Sequence, residues 1–145
     1  MANLVESGVN IIGYYKNNQK FAMTCAWLMP CAYDQFIMLL GSQSESANNL
    51  VVGDLIGVSA LSLNQKENAL HYGESHSLKN DKFKDREDYY FNGGAILIKD
   101  AKANHTCKVV NILHPLGAEE DFLVQVKVIS SNIDEKKKFL TMSDF

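Results

Sequence analysis

The sequence predicts a mainly β chain, an antiparallel barrel closed or nearly closed, carrying two short helices. Three observations predict it. Apolar alternation with β-branched residues recurs in eight short runs, the break between the first two runs is tight and Asn-rich, and nothing shows the strand–helix–strand alternation of a doubly wound parallel sheet. A chain of 145 residues with 46% hydrophobic content is long enough for one full core, so residues 1–145 are read as a single domain.

The first four runs are residues 9–15, 21–28, 35–40 and 55–61. Lys16-Asn17-Asn18 separates the first two, and because Asn tolerates left-handed backbone angles the pair reads as a hairpin. The later runs are 95–99, 106–113, 122–131 and 138–142. Within 122–131, Phe122, Val124, Val126 and Val128 share one face, which predicts one buried side. Ser42-Gln43-Ser44-Glu45 fits a capping box, with Gly53 suited to the position after the helix it opens. Asn64 to Glu67 repeats the logic for a second helix running to about Tyr72, with Gly73 as its stop. The stretch 74–94 has no clean period, and its charges balance: Lys79, Lys82, Lys84 and Arg86 against Asp81, Asp85, Glu87 and Asp88. It reads as a solvated connector.

Composition excludes several classes. Fourteen Lys+Arg against 17 Asp+Glu leave a net charge of −3, far from the basic excess that binding duplex nucleic acid demands. No apolar run approaches the ~18 residues that span a bilayer, and the start MANLVESGVN lacks a basic leader region, so a soluble, cytoplasmic protein without a membrane role is expected. Cys25, Cys31 and Cys107 cannot all pair within one chain, and their spacing matches no zinc pattern. His71 with His76, and His105 with Cys107, lack a third ligand, so no metal site is expected. Cys25 and Cys107 read as small packed hydrophobes.

Specificity begins in FAMTCAWLMPCAYDQFIMLLGSQSESANNLVVGDLIGVSALSLNQ. Ala22-Met23-Thr24-Cys25-Ala26-Trp27 leads into a turn expected to contain Pro30; an apolar strand (36–40), a Ser-rich stretch (41–46) and another apolar strand (56–61) follow. Downstream stand Asn80-Asp81-Lys82-Phe83 and AKANHTCKV at 101–109. In order and spacing these pieces resemble the flavin reductase-like family of FMN-binding split barrels, over roughly residues 9–131. The resemblance implies a split barrel that binds FMN, with Thr24, Cys25, Ala26 and Trp27 against the flavin, Ser42, Gln43, Ser44 and Ser46 around the phosphate, and Lys82 and Phe83 from the downstream element. It further implies NADH or NADPH as electron donor, a possible redox protein partner, and a homodimer with each flavin at the subunit interface. No catalytic side chain is assigned, because in such a scheme the flavin carries the chemistry.

These positions also have chemical reasons. A flavin is a flat, largely apolar slab with a polar edge, so its site needs small residues, a hydrophobic wall and free backbone donors and acceptors, a mixture that Thr24 to Trp27 supplies. Trp27 also reads as a core residue, and with the resemblance flavin contact is the favoured reading. A helix start offers free N–H groups to a phosphate, yet serines there also act simply as caps; Ser44 and Ser46 are assigned to the phosphate and Ser42 mainly to the cap. One departure concerns function. Gly117-Ala118-Glu119-Glu120-Asp121-Phe122 stands where fuller flavin reductases carry a Gly-Asp-His-like element, and His114 replaces that histidine only if the turn folds back. Three functions follow from the resemblance: an NAD(P)H-dependent flavin reductase, a non-enzymatic FMN electron carrier, and a split-barrel binding protein that has lost flavin.

Overall fold

The computed structural model describes residues 5–41, 48–73, 81–114, 116–117 and 121–145. Among them run nine strands: β1 (Asn10–Lys16), β2 (Gln19–Cys25), β3 (Leu28–Ala32), β4 (Gln35–Leu40), β5 (Leu55–Ala60), β6 (Tyr89–Asn92), β7 (Ala95–Ile98), β8 (Ala103–Leu113) and β9 (Phe122–Ile133). One helix, α1 (Lys66–Gly73), follows β5, and a 3₁₀ turn spans Met142–Asp144. All named strand pairs are antiparallel, in the order β3-β4-β9-β8-β5-β1-β7-β6, with β2 attached to β1.

That order leaves the sheet open rather than closed, as suits the split barrel that the resemblance implies. β2 and β3 follow each other in the chain without pairing, so the sheet is a single antiparallel surface that stays open between them. The expected run 21–28 is two strands, because the ladder from β1 ends at Cys25 and the ladder to β4 begins at Leu28. Pro30 lies inside β3 rather than in a turn. β3 is an edge strand, where a missing N–H costs no ladder bond on the open side. The four-residue β6 has too few residues to show a period. The run 138–142 forms no strand, only the bridges Ser62↔Phe139 and Gly8↔Thr141. The helix expected from Ser42 falls largely on residues outside those described.

Other local readings hold. Asn17 and Asn18 take φ of 54° and 62°, the left-handed pair of a tight hairpin turn, and β1 and β2 pair from Asn10↔Cys25 to Lys16↔Gln19. α1 begins at Lys66, but the tie at its start is Ser62 with Gln65, whose side chain accepts the Ser62 N–H at 3.0 Å, rather than Asn64 with Glu67, whose carboxylate binds Arg86. Gly73 is its last described residue. A Cβ there would sit 3.2 Å from Thr24 Oγ1, so the glycine permits close approach to β2.

Period-two alternation divides β1 between two cores. Ile12 and Tyr14 enter the core inside the curved sheet with Met38, Leu40, Val109 and Val126; Ile11 joins Ala22, Tyr72, Phe83 and Ile96 on the other side, under α1. In β9, Val124 and Val126 are fully buried, as the shared-face pattern predicts.

Residues 81–88 correct the reading of a solvated connector. Phe83 is buried in the second core. Arg86 forks onto both Glu67 oxygens at 2.8 and 3.0 Å and onto Asp88 at 2.6 Å, with its guanidinium 5.3 Å from the Tyr72 ring centre. Burial, followed by the hydrogen bond to Asp88, raises the Tyr72 pKa, and the Tyr72 hydroxyl donates to that carboxylate at 2.7 Å. No described helix is long and apolar enough to cross a membrane.

Candidate functional site

Thr24 to Trp27 crosses the opening between β2 and β3. Thr24 Oγ1 donates to the Ala69 carbonyl of α1 at 2.6 Å, which docks the helix against the strand end. Cys25 points into the inner core, and burial pushes its thiol up to about 11, so it is an inert packed residue. Its carbonyl accepts from Asn10 Nδ2 at 3.2 Å, a tie that no sequence signal announced. Ala26 is half-buried and stands between the two ladders. The Trp27 carbonyl accepts the Leu39 N–H at 2.9 Å while the side chain is 65% exposed, which removes the core reading for the indole.

The sheet brings further groups to this end. Leu40 of β4 pairs with Phe122 of β9, and a Cβ on the following Gly41 would lie 3.9 Å from Asp121 Oδ1. At the paired ends of β8 and β9, the His114 ring lies 5.0 Å from the Phe122 ring and Nδ1 is 3.0 Å from the Asp121 carbonyl oxygen. On the outer face, Trp27 stands beside Leu39, Leu39 pairs with Leu123, and Leu123 with Leu113; Met29 pairs with Ile37 in the next row. Trp27, Met29 and Leu113 are exposed, so an apolar band crosses four strands. One signal for it was present: β4 and β9 carry apolar residues on both faces.

The remaining expected site residues fall elsewhere. Ser42, Gln43, Ser44 and Ser46 lie outside the described residues. Lys82 is buried, donating from Nζ to the carbonyls of Ala22 and Tyr72, both at 2.8 Å, and burial pushes its ammonium down to about 8. Its charge is therefore engaged by the backbone beneath α1. Phe83 packs there with Tyr72 and Tyr89. Of the ten expected positions, then, the described structure gathers Thr24, Cys25, Ala26 and Trp27 at the opening and sets Lys82 and Phe83 under the helix. Among the described residues, no three or more His, Cys, Asp or Glu side chains gather in a metal-binding group.

The residues at the opening fit a flavin. An exposed indole flanked by leucines offers a flat apolar wall, the small Ala26 leaves room, and the backbone between two ladders offers polar atoms to a ring edge.

Solved structures share this architecture. The NADH:FAD oxidoreductase SgcE6 of Streptomyces globisporus superposes with a TM-score of 0.84 at 19% identity, over 94% of this chain and 81% of that one. A flavoredoxin from Methanosarcina acetivorans gives 0.77 at 15%, over 94% and 75%. An FMN-binding protein from Thermus thermophilus gives 0.80 at 12%, over 92% and 74%. At such identities the likeness establishes the fold. No curated protein matches the sequence. The flavin reductase like domain family matches residues 1–144, nearly the whole chain, and the protein belongs to that family.

Proposed function

We propose that the protein binds FMN at the opening between β2 and β3 and uses NADH or NADPH to reduce it, as an NAD(P)H-dependent flavin oxidoreductase. The observation that carries this reading is the convergence of Trp27, Gly41, Asp121 and His114 at one end of the sheet. A bound flavin supplies the hydride-accepting chemistry. This chain's residues supply the site: Trp27 walls the ring, Thr24 and Ala26 border its edge, and Ser44 and Ser46 hold the phosphate. Lys82 and Phe83 act as positioning residues that press α1 onto β2. His114 takes the place of the missing Gly-Asp-His histidine as the group facing the nicotinamide.

FMN titration of the purified protein is expected to quench flavin fluorescence and raise the melting temperature, because a ligand of the native state alone stabilises it by RT ln(1 + [L]/Kd). Trp27→Ala is expected to keep its circular dichroism, since the exposed side chain holds no core, and to bind FMN about ten-fold more weakly through lost stacking. Unchanged affinity would remove Trp27 from the site. Anaerobic mixing with NADH and NADPH then separates enzyme from carrier. Flavin bleached by either nucleotide supports the reductase. Flavin reduced by dithionite alone supports the second reading, an FMN electron carrier served by a redox protein partner, which the absent Gly-Asp-His element favours.

The apolar band across β3, β4, β9 and β8 is proposed as the contact with a second copy of the chain, placing each Trp27 and its flavin at a twofold interface. Light scattering is expected to give twice 16.2 kDa, and Leu113→Lys to return the single-chain mass. A wild-type mass of one chain at micromolar concentration would rule the dimer out.

A further inference from the structure

A cavity adjoins this site on the inner side of β3. It measures about 220 Å³, and Val9, Leu28, Pro30, Phe36, Val58 and His105 line it, with Phe139 beside them. No Lys, Arg, Asp or Glu lines it; Asn10 does, and gives one side-chain N–H to the Cys25 carbonyl at 3.2 Å. The His105 imidazole and the Asn10 carboxamide are thus its polar side chains. His105 Nδ1 is 2.7 Å from Ser131 Oγ, and its ring meets Phe36 edge-on at 5.1 Å, while Nε2 has no partner among the described residues.

We propose that this cavity binds a small uncharged six-membered-ring molecule carrying one hydroxyl, with the ring among Leu28, Phe36 and Val58 and the hydroxyl on His105 Nε2. Size supports a ring, since an apolar cavity of about 150 Å³ suffices for benzene and this one leaves room for a substituent. The lining supports neutrality, because a charged molecule would be desolvated with no counter-charge to meet it. The imidazole supports a hydroxyl in particular. With Nδ1 protonated toward Ser131, Nε2 accepts; with the serine hydroxyl donating, Nε2–H donates. A hydroxyl can serve either tautomer, whereas an ether or ketone serves only the second. Burial lowers the His105 pKa from its ordinary value, which keeps the ring in one of these neutral forms at pH 7.

The test is a titration of methyl-labelled protein with phenol, benzene and benzoate at pH 7.5, followed by NMR. Phenol is expected to move the Val9, Leu28 and Val58 methyl signals saturably in the millimolar range or below, benzene to do so more weakly, and benzoate to leave them in place. His105→Leu is expected to weaken phenol about ten-fold while leaving benzene unchanged. Phenol shifts that do not saturate, that map to other residues, that benzoate reproduces, or that persist unweakened in His105→Leu would overturn the proposal. If His105→Leu loses its circular dichroism, the ranking in the unaltered protein decides, and phenol no tighter than benzene overturns it.

Discussion

Gly57→Ala is expected to unfold the protein. Gly57 pairs with Gly13 in β1 and Thr106 in β8, and β7 crosses over this glycine pair. A Cβ on Gly57 would lie 2.0 Å from the Ile96 carbonyl oxygen and 2.8 Å from its carbon. No side chain can rotate to relieve a clash with backbone, and Ile96 is fixed by its own side chain in the second core. The cost is on the order of 4 kcal/mol or more, within reach of the whole stability of a domain this size. The same change at Gly8, where a Cβ meets nothing within 4 Å, is expected to stay within about 0.5 kcal/mol. Urea unfolding of the two variants checks the contrast. Equal midpoints would show that β7 does not cross Gly57 this closely.

Lys82→Met is expected to destabilise the fold, and to do so more as pH rises. Removing Nζ leaves the Ala22 and Tyr72 carbonyls without their donor, a loss of ~1–3 kcal/mol each, partly offset because no ammonium need then be buried. At pH 7 the net cost is about 1–2 kcal/mol. The folded-state pKa of about 8 lies below the ordinary 10.5, so between those values the unfolded chain holds the proton and the native one releases it. Stability from Lys82 therefore rises across pH 8 to 10.5, and the deficit of Lys82→Met grows by about 2 kcal/mol between pH 7 and pH 10. Cys25 and Cys107, raised to about 11 and about 12 by burial, oppose this trend in both proteins and cancel in the difference. A deficit independent of pH would mean that Lys82 is not buried as charged ammonium at neutral pH.

Signals confined to near neighbours in the chain were legible. Asn17-Asn18 dictated the turn, alternation marked seven of the nine strands, and the ordered pieces from Ala22 to Leu61 carried the family. β3 and β6 were missed for separable reasons. The Thr24-to-Trp27 stretch extends without a turn residue to mark the break at Cys25, and Tyr89–Asn92 is too short for a period and draws its identity from pairing with β7.

The sequence by itself determined the local geometry, the antiparallel class and the candidate strand at the opening, because turn chemistry, side-chain period and ordered motifs reside within a few tens of residues. Only the tertiary structure decided that Trp27 faces outward, that Lys82 faces inward, and where the sheet stays open, between β2 and β3. The physical reason is the range of the interactions. A lysine in a charged stretch is solvated by default, and Lys82 is buried because β2 and α1, distant in sequence, present two carbonyls at 2.8 Å. An indole is buried by default, and Trp27 is exposed because the period that turns Leu28 inward opposite Met38 turns its neighbour Trp27 to the other face, beside Leu39.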